Sequence, residues 1–238
     1  MPVQLLWPAP DPAPDLLELY RTPPEPWLRL NFVSSLDGAG HVGGRSEPLS
    51  GRADKRVFGL LRMLCDALVV GAGTVREENY HALRLDERRR AWRVAAGLPE
   101  YPTLVVVSAR GRLDPGHRAL AEAPVRPVVV THRRTDPGRL ADVADIVAAG
   151  EHEVDLAAAL AALRERGHRQ ILSEGGPRLF GSLTAAGLVD ELCLTVSPLL
   201  AGPGADRITT GPAVETPQAL TLRHALLAEG SLLLRYTR

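Results

Sequence analysis

Hydrophobic and polar residues change rhythm repeatedly along the chain. "WLRLNFVSS" (27–35) combines alternation with β-branched and aromatic residues and predicts a strand. A glycine-rich loop, "LDGAGHVGGRSEP", follows it. Over "GRADKRVFGLLRMLC", Val57, Leu60, Leu61 and Leu64 share one helical face, with Ser50 as the candidate N-cap. "DALVVG" reads as a short buried strand, and "GTVREENY" as the start of another helix. "TLVVVS" (103–108) and "PVVVTH" (127–132) are continuous apolar runs of the kind a parallel sheet buries on both faces. "ADIVAAG" is a further candidate strand, "VDLAAALAALRERG" a helix and "RQILS" a strand. "PRLFGSLTAAG" is a helix with Pro177 near its first turn, and "VDELCLTVSPLL" another strand. The tail, "ALTLRHALLAEGSLLLRYTR", reads as two strands joined at Glu229-Gly230.

Strands alternating with helices, then a run of strands, predict an α/β protein. Its central sheet is expected to be mostly parallel and flanked by helices, with antiparallel C-terminal strands. Residues 1–25 are proline-rich and expected to be irregular, apart from a short helix over Asp15–Tyr20. Residues 26–238 are expected to form a single domain. The charged segment 84–100 is expected to be a surface helix and loop, with no assigned role.

Composition narrows the function classes. Apolar residues make up 45% and charged residues 24%, ordinary for a globular chain that buries a core, and the formal net charge is zero. No global field therefore recruits nucleic acid or an anionic membrane. The longest apolar runs are strand-sized, too short to span a bilayer. The N-terminal sequence lacks the basic start and apolar block of a signal peptide. Cys65 and Cys193 sit in apolar contexts, as core thiols of a reducing compartment do, so a cytoplasmic protein is expected. Lys55 is the only lysine, which leaves one candidate for any task needing a titratable amine. The seven histidines form no metal-ligand spacing, and no metal is expected.

Two glycine turns carry the candidate chemistry: "VVGAGTV" (69–75) and "LSEGGPRL" (172–179). In an open parallel sheet, ligands gather where strands end and glycine turns lead into helices. A residue without a Cβ lets the backbone approach a ligand, and a following helix offers free N–H groups that suit a phosphate. Pro177 cannot donate, which leaves Gly175, Gly176, Arg178 and Leu179 as donors. The alternative is that both are helix-entry turns without a ligand. "GAGTVR" is not a dinucleotide fingerprint, because Arg76 stands where the third glycine belongs. Glu174 is the unusual residue, since a carboxylate beside a phosphate is unfavourable unless it faces a hydroxyl- or amine-bearing partner. Its alternative is a first-turn acid stabilising its own helix.

"VSSLDG" (33–38), "GAGTV" and "SEGGPRLFGSLTAAGLVDELCLTVSPLLAG" (173–202) together resemble the reductase domain of riboflavin biosynthesis, from about residue 27 to 237. The resemblance implies a dihydrofolate reductase-like fold and NADPH-dependent reduction of a ribosylaminopyrimidine 5′-phosphate, of the 5-amino-6-(5-phosphoribosylamino)uracil reductase type, in a homodimer. The sequence has no His-x-Glu followed by Pro-Cys-x-x-Cys, the signature of the zinc deaminase that precedes this domain in bifunctional members. It is similar to the stand-alone reductases.

Carried over residue by residue, the resemblance places Gly71, Gly73, Thr74 and Glu78 in a cofactor-contacting turn. It places Gly175, Gly176, Pro177, Arg178, Leu179 and Phe180 in a pyrophosphate-binding segment and Val33 on the nicotinamide side. Ser108 falls at the adenosine 2′-phosphate, with Arg110 near enough to pair with it; Arg112 is the competing candidate. Ser46 and Arg62 fall at the ribose phosphate of the substrate, with Asn31 and Glu174 also at the substrate. Asp37 takes an orienting role, for which a turn-forming Asp-Gly is the alternative. Asp37 and Glu174 are thus the candidate catalytic residues. Asn31 departs from the lysine of bifunctional members, and Pro48 stands where those often carry tryptophan, so substrate identity is less determined than cofactor. An NADPH reductase for another pterin or pyrimidine, such as dihydrofolate, stays open, as does a non-catalytic NADPH-binding regulator. Whether the substrate is deaminated before reduction also stays open.

Overall fold

The computed structural model describes residues 3–78, 80–214 and 216–238. In chain order, the first half holds β1 (Gln4–Trp7), α1 (Leu16–Leu19), β2 (Trp27–Ser34), α2 (Arg52–Leu64), β3 (Ala67–Gly71), α3 (Ala72–Glu77), α4 (Glu87–Ala95) and β4 (Thr103–Val107). Then come α5 (Arg118–Ala121), β5 (Val128–Thr131), α6 (Leu140–Val143), β6 (Asp145–Ala148), α7 (Leu156–Glu165) and β7 (Gln170–Gly175). The chain ends with α8 (Pro177–Ala185), β8 (Glu191–Val196), β9 (Thr221–Ala228) and β10 (Ser231–Thr237). It falls into two compact units, Arg62–Gly176 and the pair of segments Met1–Leu61 and Pro177–Arg238.

The Arg62–Gly176 unit carries five parallel strands in the order β7-β3-β4-β5-β6. Leu68, Val70, Val105 and Val106 are at most 1% exposed, which is why these strands read as unbroken apolar runs. The charged segment contributes α4, capped by the Asp86 side chain, which accepts from the Arg89 N–H. Its Arg93 is not on the surface. The guanidinium is fully buried and donates to the carbonyls of Pro99, Met63 and Cys65 at 2.7, 2.8 and 2.6 Å. Helix ends leave carbonyls without intrahelical partners, and Arg93 satisfies those at the end of α2.

The other unit carries β1-β9-β10-β8-β2, antiparallel up to β8 and parallel between β8 and β2. The β9–β10 turn is formed by Glu229 at φ 54° and Gly230 at φ 80°, the paired positive angles of a two-residue hairpin. The N-terminal segment differs from the expectation of irregular chain. "QLLW" (4–7) forms β1 against β9, because apolar Leu5 can pair with Leu226 on an otherwise open edge. Met1 and Pro2 of that segment lie outside the described residues. The expected short helix is α1, held by Asp15, whose carboxylate accepts from the Leu17 N–H at 2.8 Å.

In this unit a buried carboxylate organises the core. Glu191, 0% exposed, accepts from Arg29, Arg235 and the Trp27 indole at 2.6, 2.8 and 2.8 Å. Arg29 also donates to the Tyr20 carbonyl and Arg235 to the Leu19 carbonyl, so the cluster ties α1 to the sheet. The long β8–β9 connection is pinned as well. The Thr210 N–H donates to the Pro177 carbonyl at 3.1 Å, and a Cβ on Gly181 would strike the Thr210 carbonyl oxygen.

Candidate functional site

In the Arg62–Gly176 unit, the two glycine turns touch each other. Gly71 ends β3 and is the N-cap of α3, a cap without a side chain, so the first N–H groups of α3 meet no capping group. Gly73 has nothing nearer to its missing Cβ than the Glu77 carboxylate at 3.9 Å, so internal packing does not require glycine there. Thr74 reaches across and donates from its hydroxyl to the Gly175 carbonyl at 3.1 Å. Gly175 and Gly176 sit at φ 58° and 80°, two consecutive left-handed residues. A Cβ on Gly176 would lie 2.6 Å from the Thr74 hydroxyl. The Gly176 N–H turns back onto the Glu174 carbonyl at 3.2 Å, so this expected donor is engaged within the turn. Glu78 is the C-cap of α3, its N–H on the Thr74 carbonyl.

The same unit brings Arg62 and Glu174 together. Arg62 stands in the last turn of α2 and Glu174 near the end of β7. Arg62 Nε donates to Glu174 Oε1 at 2.7 Å and an Arg62 terminal nitrogen to Oε2 at 2.5 Å, a two-pronged pair. Tyr80 closes the set: its hydroxyl donates to Glu174 Oε2 and accepts from Arg62, both at 2.8 Å. Burial alone would lower the Arg62 pKa, but the Glu174 charge and hydrogen bond outweigh it and hold the guanidinium above its ordinary value. Burial, reinforced by the Glu174 charge, pushes the Tyr80 phenol well above its ordinary value, so it stays a donor. Sequence reasoning missed Tyr80. The only signal was one aromatic hydroxyl ending "VREENY", and its partner lies 94 positions away.

Ser108 follows β4, is 4% exposed, and gives its N–H to the Val130 carbonyl at 2.9 Å. Its own carbonyl accepts from Gly111, which sits at φ 62°, and the turn leaves Arg110 exposed.

The remaining expected residues belong to the other unit. Asn31 and Val33 share one face of β2, paired with Cys193 and Thr195; Asn31 is 8% exposed. Asp37 holds the loop after β8: its carboxylate accepts from the Ala201 and Gly202 N–H groups at 3.1 and 2.8 Å and from the Ser35 hydroxyl. The Ser35 hydrogen bond first, then those two N–H groups, lower its pKa to about 2. Ser46 precedes the 3-10 turn Glu47–Leu49 and accepts the Leu49 N–H on its carbonyl. Pro177 opens α8, where the Arg178, Leu179 and Phe180 N–H groups precede any intrahelical partner. The Leu179 and Phe180 side chains are buried, with Phe180 stacked on Phe32 at 4.6 Å. Arg178 is exposed.

Among the described residues no group of three or more His, Cys, Asp or Glu is gathered to hold a metal, and no helix is long and apolar enough to cross a membrane.

Comparison with known proteins places this arrangement. The family model described as RibD C-terminal domain matches residues 26–232. A 2,5-diamino-6-ribosylamino-4(3H)-pyrimidinone 5′-phosphate reductase from Methanothermobacter thermautotrophicus is 32% identical over 218 residues, covering 86% of this chain and 97% of the relative. The protein of the same name from Archaeoglobus fulgidus is 31% identical over 181 residues, covering 74% and 82%. Among solved structures, a pyrimidine reductase-like protein from Corynebacterium diphtheriae superposes with a TM-score of 0.81 at 26% identity, covering 89% of this chain and 91% of that one.

Proposed function

Because the chain belongs to the RibD C-terminal domain family, we propose that it has a dihydrofolate reductase-like fold and uses NADPH to deliver a hydride to the ribose C1′ of its substrate. Two relatives are named as 2,5-diamino-6-ribosylamino-4(3H)-pyrimidinone 5′-phosphate reductases and another, from Escherichia coli, as a riboflavin biosynthesis protein; reduction of a ribosylaminopyrimidine 5′-phosphate in riboflavin biosynthesis is the activity of this chain.

The observation that carries the cofactor assignment is the pair of left-handed glycines, Gly175 at φ 58° and Gly176 at φ 80°. A Cβ on the second would fill the space beside Thr74, so the main chain is bare where a diphosphate needs close approach. The roles we assign are each suited chemically to part of a dinucleotide: first-turn N–H groups of α8 to the diphosphate, the Gly71–Thr74 turn to close main-chain approach, and Ser108 with Arg110 to a 2′-phosphate. Val33 offers main chain to the nicotinamide side. When bound, NADPH supplies one hydride, which the imine carbon C1′ of the ring-opened ribosylamine accepts.

The chain's own residues then have a limited task, chiefly holding the substrate in a reactive pose and excluding water. Glu174, Asn31 and Ser46 hold the substrate. Asp37, ionised at neutral pH, fixes the loop that begins at Ser197 rather than carrying a proton. The imine nitrogen takes the proton that completes the amine from solvent, so no strong protein acid is required. The active form is a homodimer in the cytoplasm.

Offering the purified protein the diaminopyrimidinone phosphate and its deaminated counterpart side by side, with NADPH absorbance followed at 340 nm, tests this reading. Steady oxidation with at least one of them is expected. No oxidation with either would overturn it.

A further inference from the structure

Glu174 is held from two sides. The last turn of α2 supplies Arg62 and the segment after α3 supplies Tyr80, and the three side chains close a ring of hydrogen bonds. A guanidinium that reads a phosphate presents its two-pronged edge to the anion. Here Arg62 Nε and a terminal nitrogen, the two atoms of one such edge, are both on Glu174. The Glu174 side chain is only 6% exposed and that of Arg62 20%, so turning Arg62 toward another anion would strand a buried carboxylate. Tyr80 adds a second constraint, because its hydroxyl is matched at once to the carboxylate and to the guanidinium. Its ring also lies against Arg62, 5.5 Å from centroid to guanidinium carbon.

We infer that Arg62 and Tyr80 are positioning residues that aim Glu174, and that Arg62 is not the reader of the substrate phosphate. The inference rests on the proposed function, in which Glu174 faces the substrate. A carboxylate has roughly four acceptor directions. Three are occupied by Arg62 twice and Tyr80 once. One fixed direction remains, which suits a single hydroxyl or ring N–H of the ribosylaminopyrimidine. The carboxylate's charge is already matched by Arg62, so a cationic group on the substrate gains little there. The clamp therefore selects a neutral donor and sets its angle.

The test compares kcat/KM for the 5′-phosphorylated substrate and for the same compound with a free 5′-hydroxyl, in wild type, Arg62→Lys and Tyr80→Phe. Arg62→Lys keeps the charge but loses the paired prongs, and Tyr80→Phe removes one oxygen. Each is expected to lower kcat/KM about tenfold or more, the loss that goes with a hydrogen bond to a charged group. The fall should be equal for both compounds, leaving their ratio within about threefold of wild type. The double variant should fall by less than the product of the two single losses, because both act through Glu174. If Arg62→Lys weakens only the phosphorylated compound, Arg62 reads the phosphate and the inference is overturned. Full activity in Tyr80→Phe would remove Tyr80 from the clamp, and this variant decides that part even where Arg62→Lys fails to fold. A wild-type protein that turns over neither compound refutes the proposed function itself, a different and separable result.

Discussion

Replacing Gly176 with alanine strikes the turn on which the cofactor assignment rests. The residue sits at φ 80°, and an added Cβ would lie 2.6 Å from the Thr74 hydroxyl. Two costs follow. A left-handed alanine costs about 1–2 kcal/mol relative to glycine. To make room, Thr74 must rotate and give up its 3.1 Å hydrogen bond to the Gly175 carbonyl, another 0.5–1.5 kcal/mol or about that. The sum, roughly 1.5–3.5 kcal/mol, lowers Tm by about 3–14 °C for a chain of this size. Thermal unfolding without ligand measures it. In a Thr74→Ala background the hydroxyl is already gone, so Gly176→Ala should cost only the backbone share, about 1–2 kcal/mol. NADPH affinity, read by fluorescence titration, should fall at least about tenfold, because the Cβ fills the space proposed for the diphosphate. A Gly176→Ala protein within about 1 °C of wild type and with unchanged NADPH affinity would refute both the strain and the close approach.

Three further outcomes follow from the rest of the fold. Burial alone would raise the Glu191 pKa, but the charges and hydrogen bonds of Arg29 and Arg235 hold it to about 2, against an ordinary value of 4.5. Its stabilisation, on the order of 3 kcal/mol, is complete above pH 4.5 and lost as pH falls toward 2. Burial, then the Arg235 charge, lowers His224 from 6.5 to about 4, so it adds stability that is present above pH 6.5 and lost on the way down to 4. Urea unfolding from pH 7 to 3 should therefore show stability falling from about pH 6.5, and His224→Gln should flatten the upper part of that slope. Arg93→Ala strips two buried carbonyls, those of Met63 and Cys65, and the part-buried carbonyl of Pro99 of their donor and should cost about 3–5 kcal/mol by chemical denaturation, with Arg93→Lys recovering only part. Gly181→Ala forces the Thr210 carbonyl away from α8 and should make the connection from Ser197 to Leu220 the first site of limited proteolysis.

The parallel strands were the most legible part of the sequence, because burial on both faces writes itself as runs such as "TLVVV" and "PVVVT". The glycine turns were legible too, since helix-entry chemistry is local: Gly175, Gly176 and Pro177 announce a turn without reference to anything distant. What failed to show was whatever depends on a remote partner. β1 was hidden because a four-residue edge strand gains its identity from β9, more than two hundred positions on. Arg93 looked like one more charge in "ERRRAWRV", and only the orphan carbonyls at the end of α2 explain its burial. Arg62 and Glu174 were each picked out, but their mutual pairing and the Tyr80 hydroxyl between them are a product of the tertiary fold. Asp37 carried two readings in the sequence, and its bonds to Ala201 and Gly202 give it a structural task that Asp-Gly turn chemistry alone does not contain.

Tracing the transferred hydrogen tests the central claim most directly. NADPH carrying deuterium at the transferable nicotinamide position would be incubated with the protein and its ribosylaminopyrimidine phosphate, and the product analysed by mass and by NMR. One deuterium per turnover is expected, located on C1′ of the ribityl chain. Oxidation of the cofactor with the label anywhere else, or a product free of label, would contradict it.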